Sequence, residues 1–139
     1  MKNIEHYSPY EENEKGENYL HKLELIIDGQ NIGYAKLLYK NSPFPFYYLS
    51  SLHIYEQYRG QGNGKDFLAS IKNFLDSKGK CGILMNLIQK DSPAKTMYSK
   101  YGWQEIPYQS GWYIYNPPKN LSYGQVNKAI YDIFQNEMV

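Results

Sequence analysis

Three glycines at alternate positions, Gly60, Gly62 and Gly64, lie between a strand-like stretch and a helix-like one, with Arg59 and Lys65 on either side. Glycine has no Cβ, so backbone N–H groups there can approach an anion closely and take conformations closed to other residues. A helix opening just behind the loop adds unpaired N–H groups of its own and the positive end of its dipole. The chemistry this suits is the cradling of phosphate. Two common phosphate motifs do not fit. A P-loop would need Gly where Arg59 stands and Ser or Thr where Asp66 follows Gly64-Lys65. The dinucleotide fingerprint G-x-G-x-x-G fails from Gly60, where Lys65 takes the last place, and from Gly62, where Phe67 does. From the glycines alone, a plain Gly-rich turn entering a helix would look the same.

Other reactive side chains are sparse. Cys81 is the one cysteine, so no intramolecular disulfide can form, and within an apolar run it reads as a buried strand residue. His6, His21 and His53 are scattered, with no Cys or carboxylate at metal-ligand spacing, so no metal site is expected.

The elements that must position the glycine loop follow from periodicity. Residues 19–27 alternate, with Leu23, Leu25 and Ile27 on one face. Asp28-Gly29-Gln30-Asn31 signals a hairpin, residues 32–39 return as a second strand, and residues 46–55 read as a third. Phe67, Leu68, Ile71, Phe74 and Leu75 then mark one face of a helix closed by Lys78 and Gly79. Residues 81–88 are an apolar run of buried-strand type. Ser92-Pro93 starts a second helix, with Ala94, Met97, Tyr98 and Tyr101 on one stripe and Gly102 as its stop. Residues 103–108 and 111–115 look like a strand pair. Ser122 with Gln125 forms a capping box, Leu121 and Val126 a staple, and Val126, Ala129, Ile130, Ile133 and Phe134 the apolar face of a last helix. The order β-β-β, loop, α, β, α, β-β, α predicts an α/β (α+β) fold. Its expected core is a mixed, mostly antiparallel central sheet of about 6–7 strands flanked by helices. Residues 1–139 are expected to form a single domain, with a polar N-terminal segment over 1–18 and a C-terminal helix within 120–139.

The stretch from Leu52 to Gly64 resembles the central signature of the GNAT superfamily of N-acetyltransferases, Arg/Gln-x-x-Gly-x-Gly/Ala, with Arg59, Gly62 and Gly64 in its fixed places. The segment from Ala94 to Trp103 looks like the later motif of that family, in which a helix carrying a Tyr ends at a Gly followed by an aromatic. Both motifs stand in the expected order, and the resemblance covers roughly residues 20–115. Two departures accompany it. Asp91 replaces an Asn, and only a short hairpin turn joins residues 27 and 32, where the family commonly has helices that wall the acceptor site.

The resemblance implies a GNAT-like acyl-CoA N-acyltransferase fold and an enzyme that takes acetyl-CoA as co-substrate. Backbone N–H groups of Arg59, Gly60, Gln61, Gly62, Asn63 and Gly64 would bind the pyrophosphate, with Lys65 flanking. The backbone of Leu52, His53 and Ile54 would hold the pantetheine arm and polarise the thioester carbonyl, as fixed N–H donors do. Tyr98 would donate a proton to the departing sulfur; core packing at helical spacing is its other reading. A protonated alkylamine must lose a proton before it attacks. His53, Tyr48, Glu24 and water all stay open as the base.

Composition limits the partners. A formal net charge of +1 with interleaved Lys, Asp and Glu offers no basic stripe for nucleic acid. No apolar run reaches membrane-span length, and the first residues lack the apolar stretch of a secretory signal, so a cytoplasmic protein is expected. Hydrophobic residues at 42% support a packed core, and 16 Tyr against 5 Phe suit half-buried strands and the walls of a wet cleft. The expected function is N-acetyl transfer to a primary amine of a small molecule, peptide or protein. The alternatives are a non-catalytic acyl-CoA sensor or interaction module, and a toxin acetylating aminoacyl-tRNA. The aromatic run from Pro43 to Tyr48 is expected to line the acceptor entrance through Phe44. The acceptor, the acyl-chain preference and the oligomeric state, a homodimer included, are not fixed by the sequence.

Overall fold

A computed structural model describes residues 4–7, 19–85 and 98–137. Seven strands form one sheet: β1 (Ile4–Tyr7), β2 (Tyr19–Ile27), β3 (Gln30–Lys40), β4 (Phe46–Ile54), β5 (Cys81–Met85), β6 (Gln104–Glu105) and β7 (Trp112–Tyr115). Their order across the sheet is β1-β2-β3-β4-β5-β7-β6. Only β4 and β5 run parallel, so the sheet is mixed and mostly antiparallel, as the element order predicts.

Local chemistry explains the connections. Asp28 and Gly29 both have positive φ (50° and 80°), with Ile27 opposite Gln30, which is a two-residue turn of the primed type matched to strand twist. Helix α1 (Asn63–Lys78) ends at Gly79 in the left-handed conformation, whose N–H bonds back to Asp76 while Lys80 N–H reaches Leu75 O. In the capping box of helix α2 (Tyr123–Glu137), Ser122 N–H donates to Gln125 Oε1 at 2.9 Å and Gln125 N–H to Ser122 Oγ at 3.2 Å.

Two apolar layers cover the two faces of the sheet. Phe67, Leu68, Ile71, Phe74 and Leu75 of α1 pack on Leu23, Leu25, Ala35, Leu37 and Tyr47. Val126, Ala129, Ile130 and Ile133 of α2 pack on Phe46, Tyr48, Ile83, Trp112 and Ile114. Strand β5 supplies side chains to both layers, which is why its sequence is apolar throughout.

Several expectations need correction. The polar segment over 1–18 contains strand β1, paired antiparallel to β2 from Ile4–Ile27 to Tyr7–Glu24. The first two strands are therefore joined by residues 8–18, and the tight Asp28–Gly29 turn joins the second and third. The short turn between residues 27 and 32, expected between the first two strands, lies between the second and third. The 103–108 strand shrinks to Gln104–Glu105, because Tyr108 takes φ 62° and turns the chain. Phe134 is 49% exposed and lies off the packed face of α2. Residues 86–88, the Ser92-Pro93 cap and the Ala94 and Met97 positions lie outside the described residues. No helix among the described residues is long and apolar enough to cross a membrane.

Candidate functional site

Strand β4 carries the site because its pairing changes halfway along. On one side it pairs with β5 from Phe46–Cys81 to Leu49–Leu84, the last such pair among the described residues. On the other side it stays bonded to β3, through Leu37–Leu49 and then Lys36–Ser51, leaving Ser50 as an inserted residue. This is a β-bulge, which kinks a strand and re-aims its backbone. The Ser50 hydroxyl donates to Lys36 O at 3.1 Å and fixes it. Beyond the bulge, the β5-facing edge of residues 50–54 has no strand partner among the described residues.

A cleft of about 340 Å³ opens at that edge, lined by Leu49, Ser50, Ser51, Leu52, Gly64, Leu68, Leu84, Met85 and Tyr98. It unites the unpaired part of β4, the first turn of α1 and the aromatic helix residue, three places far apart in the sequence. Its size falls in the range of small-molecule sites.

The glycine loop meets the cleft at Gly64. A short 3-10 turn (Glu56–Tyr58) leads from β4 into it, and Gly60 (φ 75°) and Gly62 (φ 79°) take conformations that residues with a Cβ avoid. A Cβ at Gly60, Gly62 or Gly64 would meet nothing within 4 Å, so the loop faces open space. Backbone N–H groups of residues 60–65 donate to no acceptor among the described residues; the first N–H taken up is that of Asp66, to Gly62 O at 3.3 Å. Such a run of free donors at a helix start is an anion site.

The side chains of the loop hold its shape. Arg59 Nε donates to Ile54 O at 2.9 Å, Gln61 Nε2 to Gln57 O at 3.3 Å, and Asn63 Nδ2 to Tyr58 O at 2.7 Å. Three polar side chains therefore bind backbone carbonyls of residues 54–58, and the loop presents its main chain outward. Arg59, which the sequence suggests as flanking charge, fastens the loop to the end of β4. Lys65 is exposed.

Tyr98 is half-buried on the α1 side of the sheet, with its ring 5.1 Å from that of Tyr113. Burial, and then the neighbouring Tyr113, push its hydroxyl above the usual phenol range, which keeps it protonated near neutral pH. Among the described residues that hydroxyl has no hydrogen-bond partner. Leu52 lines the cleft and is 38% exposed.

The candidate bases fall on the other face. His53 lies beside Tyr34 and Tyr55, with ring centroids 5.3 and 5.6 Å away. Glu24 sits 3.7 Å from Lys22 Nζ. Tyr48 is buried and stacked on Trp112. Phe44, expected at the acceptor entrance, is 6% exposed and packs on Phe46 within the α2 layer. It is core. Cys81 is buried as expected, and burial pushes its thiol up to about 12.

Two contributors escape the sequence reading. The bulge at Ser50 is visible only as a break in alternation at Leu49-Ser50-Ser51-Leu52. Gly33, which backs β4 at His53, is an isolated glycine inside a strand pattern, the usual sign of close backbone approach.

Comparison with known proteins shows the family and the fold. The family model for an acetyltransferase (GNAT) domain matches residues 1–110. Among solved structures, the fold is similar to an acetyltransferase of the GNAT family from Listeria monocytogenes (17% identity, TM-score 0.53, 68% of this chain and 62% of that one). It is similar to a GNAT family N-acetyltransferase from Escherichia coli in complex with CoA (21% identity, TM-score 0.50, 68% and 57%). A third is a GNAT family acetyltransferase from Elizabethkingia anophelis with acetyl-CoA bound (14% identity, TM-score 0.50, 69% and 75%). The match spans about three-fifths of the length of the first two. No curated protein matches the chain.

Proposed function

The chain belongs to the GNAT acetyltransferase family, and on that premise we propose that it transfers the acetyl group of acetyl-CoA to a primary amine. The amine belongs to a small molecule, a peptide or a protein. One observation carries the reading: backbone N–H groups of residues 60–65, which bond to no acceptor among the described residues, run up to a cleft lined by Gly64, Leu52 and Tyr98. These residues fit the co-substrate, because a pyrophosphate needs close main-chain donors and open space, and the loop offers both.

Each residue then has a defined task. Main-chain N–H groups of residues 60–64 bind pyrophosphate oxygens, whereas the Arg59 N–H, expected among them, is taken up by Glu56 O at 3.2 Å. The unpaired edge of Leu52, His53 and Ile54 binds the pantetheine amides, as an added strand would, and aims an N–H at the acyl oxygen. When bound, acetyl-CoA supplies the activated acyl group. The acceptor nitrogen, freed of its extra proton, forms the new C–N bond as the C–S bond breaks; Tyr98 gives its hydroxyl proton to the sulfur, and the proton the nitrogen sheds as it becomes an amide restores the phenol. Burial keeps the Tyr98 hydroxyl protonated, so a proton is present there to give, and the same shift makes it a weak acid whose contribution is modest. The unit proposed is a single domain over 1–139, supported by α2 closing the sheet face that β4 and β5 share. A cytoplasmic setting is in keeping with one buried, unpaired thiol.

The test is calorimetry with acetyl-CoA, followed by a screen of amines and peptides that reads free thiol release. Binding with amine-dependent thiol release is the expected result. Binding without release for any amine would leave an acyl-CoA sensor instead.

A further inference from the structure

The sheet face away from α1 carries a charge arrangement that packing does not explain. Lys22 of β2 and Lys36 of β3 are direct cross-strand partners, although like charges placed opposite one another destabilise a sheet. Both ammonium groups gather over one ring, at 5.1 Å and 5.9 Å from the centre of Tyr34. Glu24 lies 3.7 Å from Lys22 and offsets part of its charge. No carboxylate pairs with exposed Lys36 among the described residues. His53, opposite Tyr34 in the β3–β4 ladder, and Tyr55 continue the surface.

This surface reaches the proposed reaction site. Lys36 is the cross-strand partner of Ser51, and Ser51 lines the cleft. Ser51 and His53 are two residues apart beyond the bulge, so both side chains lie on the Lys36 face, whereas α1, the glycine loop and Tyr98 are on the opposite one. An acceptor meeting the acyl group at the β4 edge from the Lys36 face passes over Lys36, Tyr34 and His53.

We propose that the acceptor is an amine that also carries an anionic group, bound by Lys36 with its carbon chain against Tyr34 and His53, which makes Lys36 a specificity-determining residue. This rests on the acetyl-transfer reading above. Adjacent strands lie about 4.8 Å apart. An anion over β3 and an amine at the edge of β4 are then separated by roughly 5–10 Å, one to two strand spacings, which suits a short amino acid or a peptide end. Lys22, tied to Glu24, would add to the field without holding the anion.

The test compares γ-aminobutyrate, aminopropylphosphonate, n-butylamine and putrescine, which share one chain length and differ in the far group. Thiol release with acetyl-CoA should give the two anionic amines a kcat/KM on the order of tenfold above n-butylamine, with putrescine lowest. That advantage should shrink as salt is raised, because Lys36 is exposed. Lys36→Gln should remove the γ-aminobutyrate preference over n-butylamine, and Lys36→Glu should turn it toward putrescine. Both changes relieve the Lys22 repulsion, so the variants should keep or raise Tm. A wild-type enzyme that favours n-butylamine or putrescine overturns the proposal, as does a Lys36→Gln variant with an unchanged ratio. A protein that binds acetyl-CoA yet acetylates neither anionic amine also overturns it, while the cofactor assignment stands. Failure to bind acetyl-CoA defeats the acetyl-transfer reading and takes this inference with it. Preference for the phosphonate over the carboxylate would identify the anion as a phosphate.

Discussion

Gly33 on β3 lies so close to His53 on β4 that a Cβ added to it would overlap the His53 carbonyl oxygen and stand 3.0 Å from the Ile54 Cα. Gly33 also sits beside a second irregularity, in the β2–β3 pairing, where Leu25–Gly33 is followed by Ile26–Asn31 and Ile32 is left over. The absence of a side chain thus sets the position of the Leu52, His53 and Ile54 backbone, which is the backbone proposed to hold the pantetheine arm. A Gly33→Ala protein must push that strand end away. We expect a loss of about 1–3 kcal/mol in urea unfolding, the usual cost of overpacking. Acetyl-CoA affinity should also fall in the fraction that stays folded. Equal affinity by calorimetry, with a lowered midpoint, would show that the strand end plays no part in binding.

The glycine loop offers a cleaner separation of binding from folding. Gly62 has φ 79°, so a β-branched residue there strains the backbone whether or not a ligand binds. Gly64 is different: it lies in the first turn of α1, its φ is not positive, and a Cβ would touch nothing within 4 Å. Gly64→Val should therefore keep or slightly raise Tm, since Gly is the poorer helix residue. It should weaken acetyl-CoA binding by on the order of tenfold or more, because the side chain enters the cleft that Gly64 lines. Full affinity in that variant would remove the phosphate cradle from this loop.

Much of this frame is legible in the sequence, for identifiable reasons. The α1 stripe from Phe67 to Leu75 is read correctly because one face of the helix meets one layer of the core. The Ser122–Gln125 box is read correctly because its bonds are local. Strand β1 escapes because four residues, Ile4-Glu5-His6-Tyr7, give no periodicity, and main-chain pairing to β2 defines them. The Ser50 bulge escapes because it depends on which residue of β3 stands opposite. Phe134 misleads because it continues the helical stripe of α2 past Ile133 into solvent. Phe44 misleads because a Pro-flanked aromatic turn reads equally well as cleft wall or as core, and only the position of α2 decides.

A pH-dependent contribution ties α1 to β7. The Tyr115 hydroxyl donates to Asp76 Oδ1 at 2.6 Å, and Lys72 Nζ lies 2.9 Å from Oδ2. The Tyr115 hydrogen bond, and more weakly Lys72, hold the Asp76 carboxyl below its ordinary 3.8. A carboxyl depressed in the folded state adds stability above its unfolded value, and that stability is lost as pH falls through the folded value. Tyr115→Phe should cost about 0.5–1.5 kcal/mol at pH 7, the lower range because the Asp76 side chain is 44% exposed. The gap from wild type should close below about pH 4. Thermal unfolding of both proteins across acid pH checks it; a gap that stays constant would assign the loss to ring packing.

The last prediction concerns Tyr98. A thiolate leaves readily near neutral pH, because a thiol like that of cysteine has a pKa of about 8.5, so proton donation should add a modest factor. We expect Tyr98→Phe to lower kcat by on the order of 10² to 10³, the lower part of the range for acid–base catalysis. Deleting the hydroxyl leaves the ring against Tyr113, and the hydroxyl has no protein partner to lose among the described residues, so Tm should hold. Acetyl-CoA affinity and acceptor KM should also hold, the pattern of an interaction made only in the transition state. The pH profile adds a second readout. Burial raises the Tyr98 hydroxyl above its ordinary 10.0, so an acid in this position is lost only above that value. The wild-type rate should therefore show no decline from Tyr98 between neutrality and about pH 10. A Tyr98→Phe enzyme with full turnover, in an assay shown by a faster thioester to be limited by chemistry, would make Tyr98 a packing residue and leave water as the proton donor.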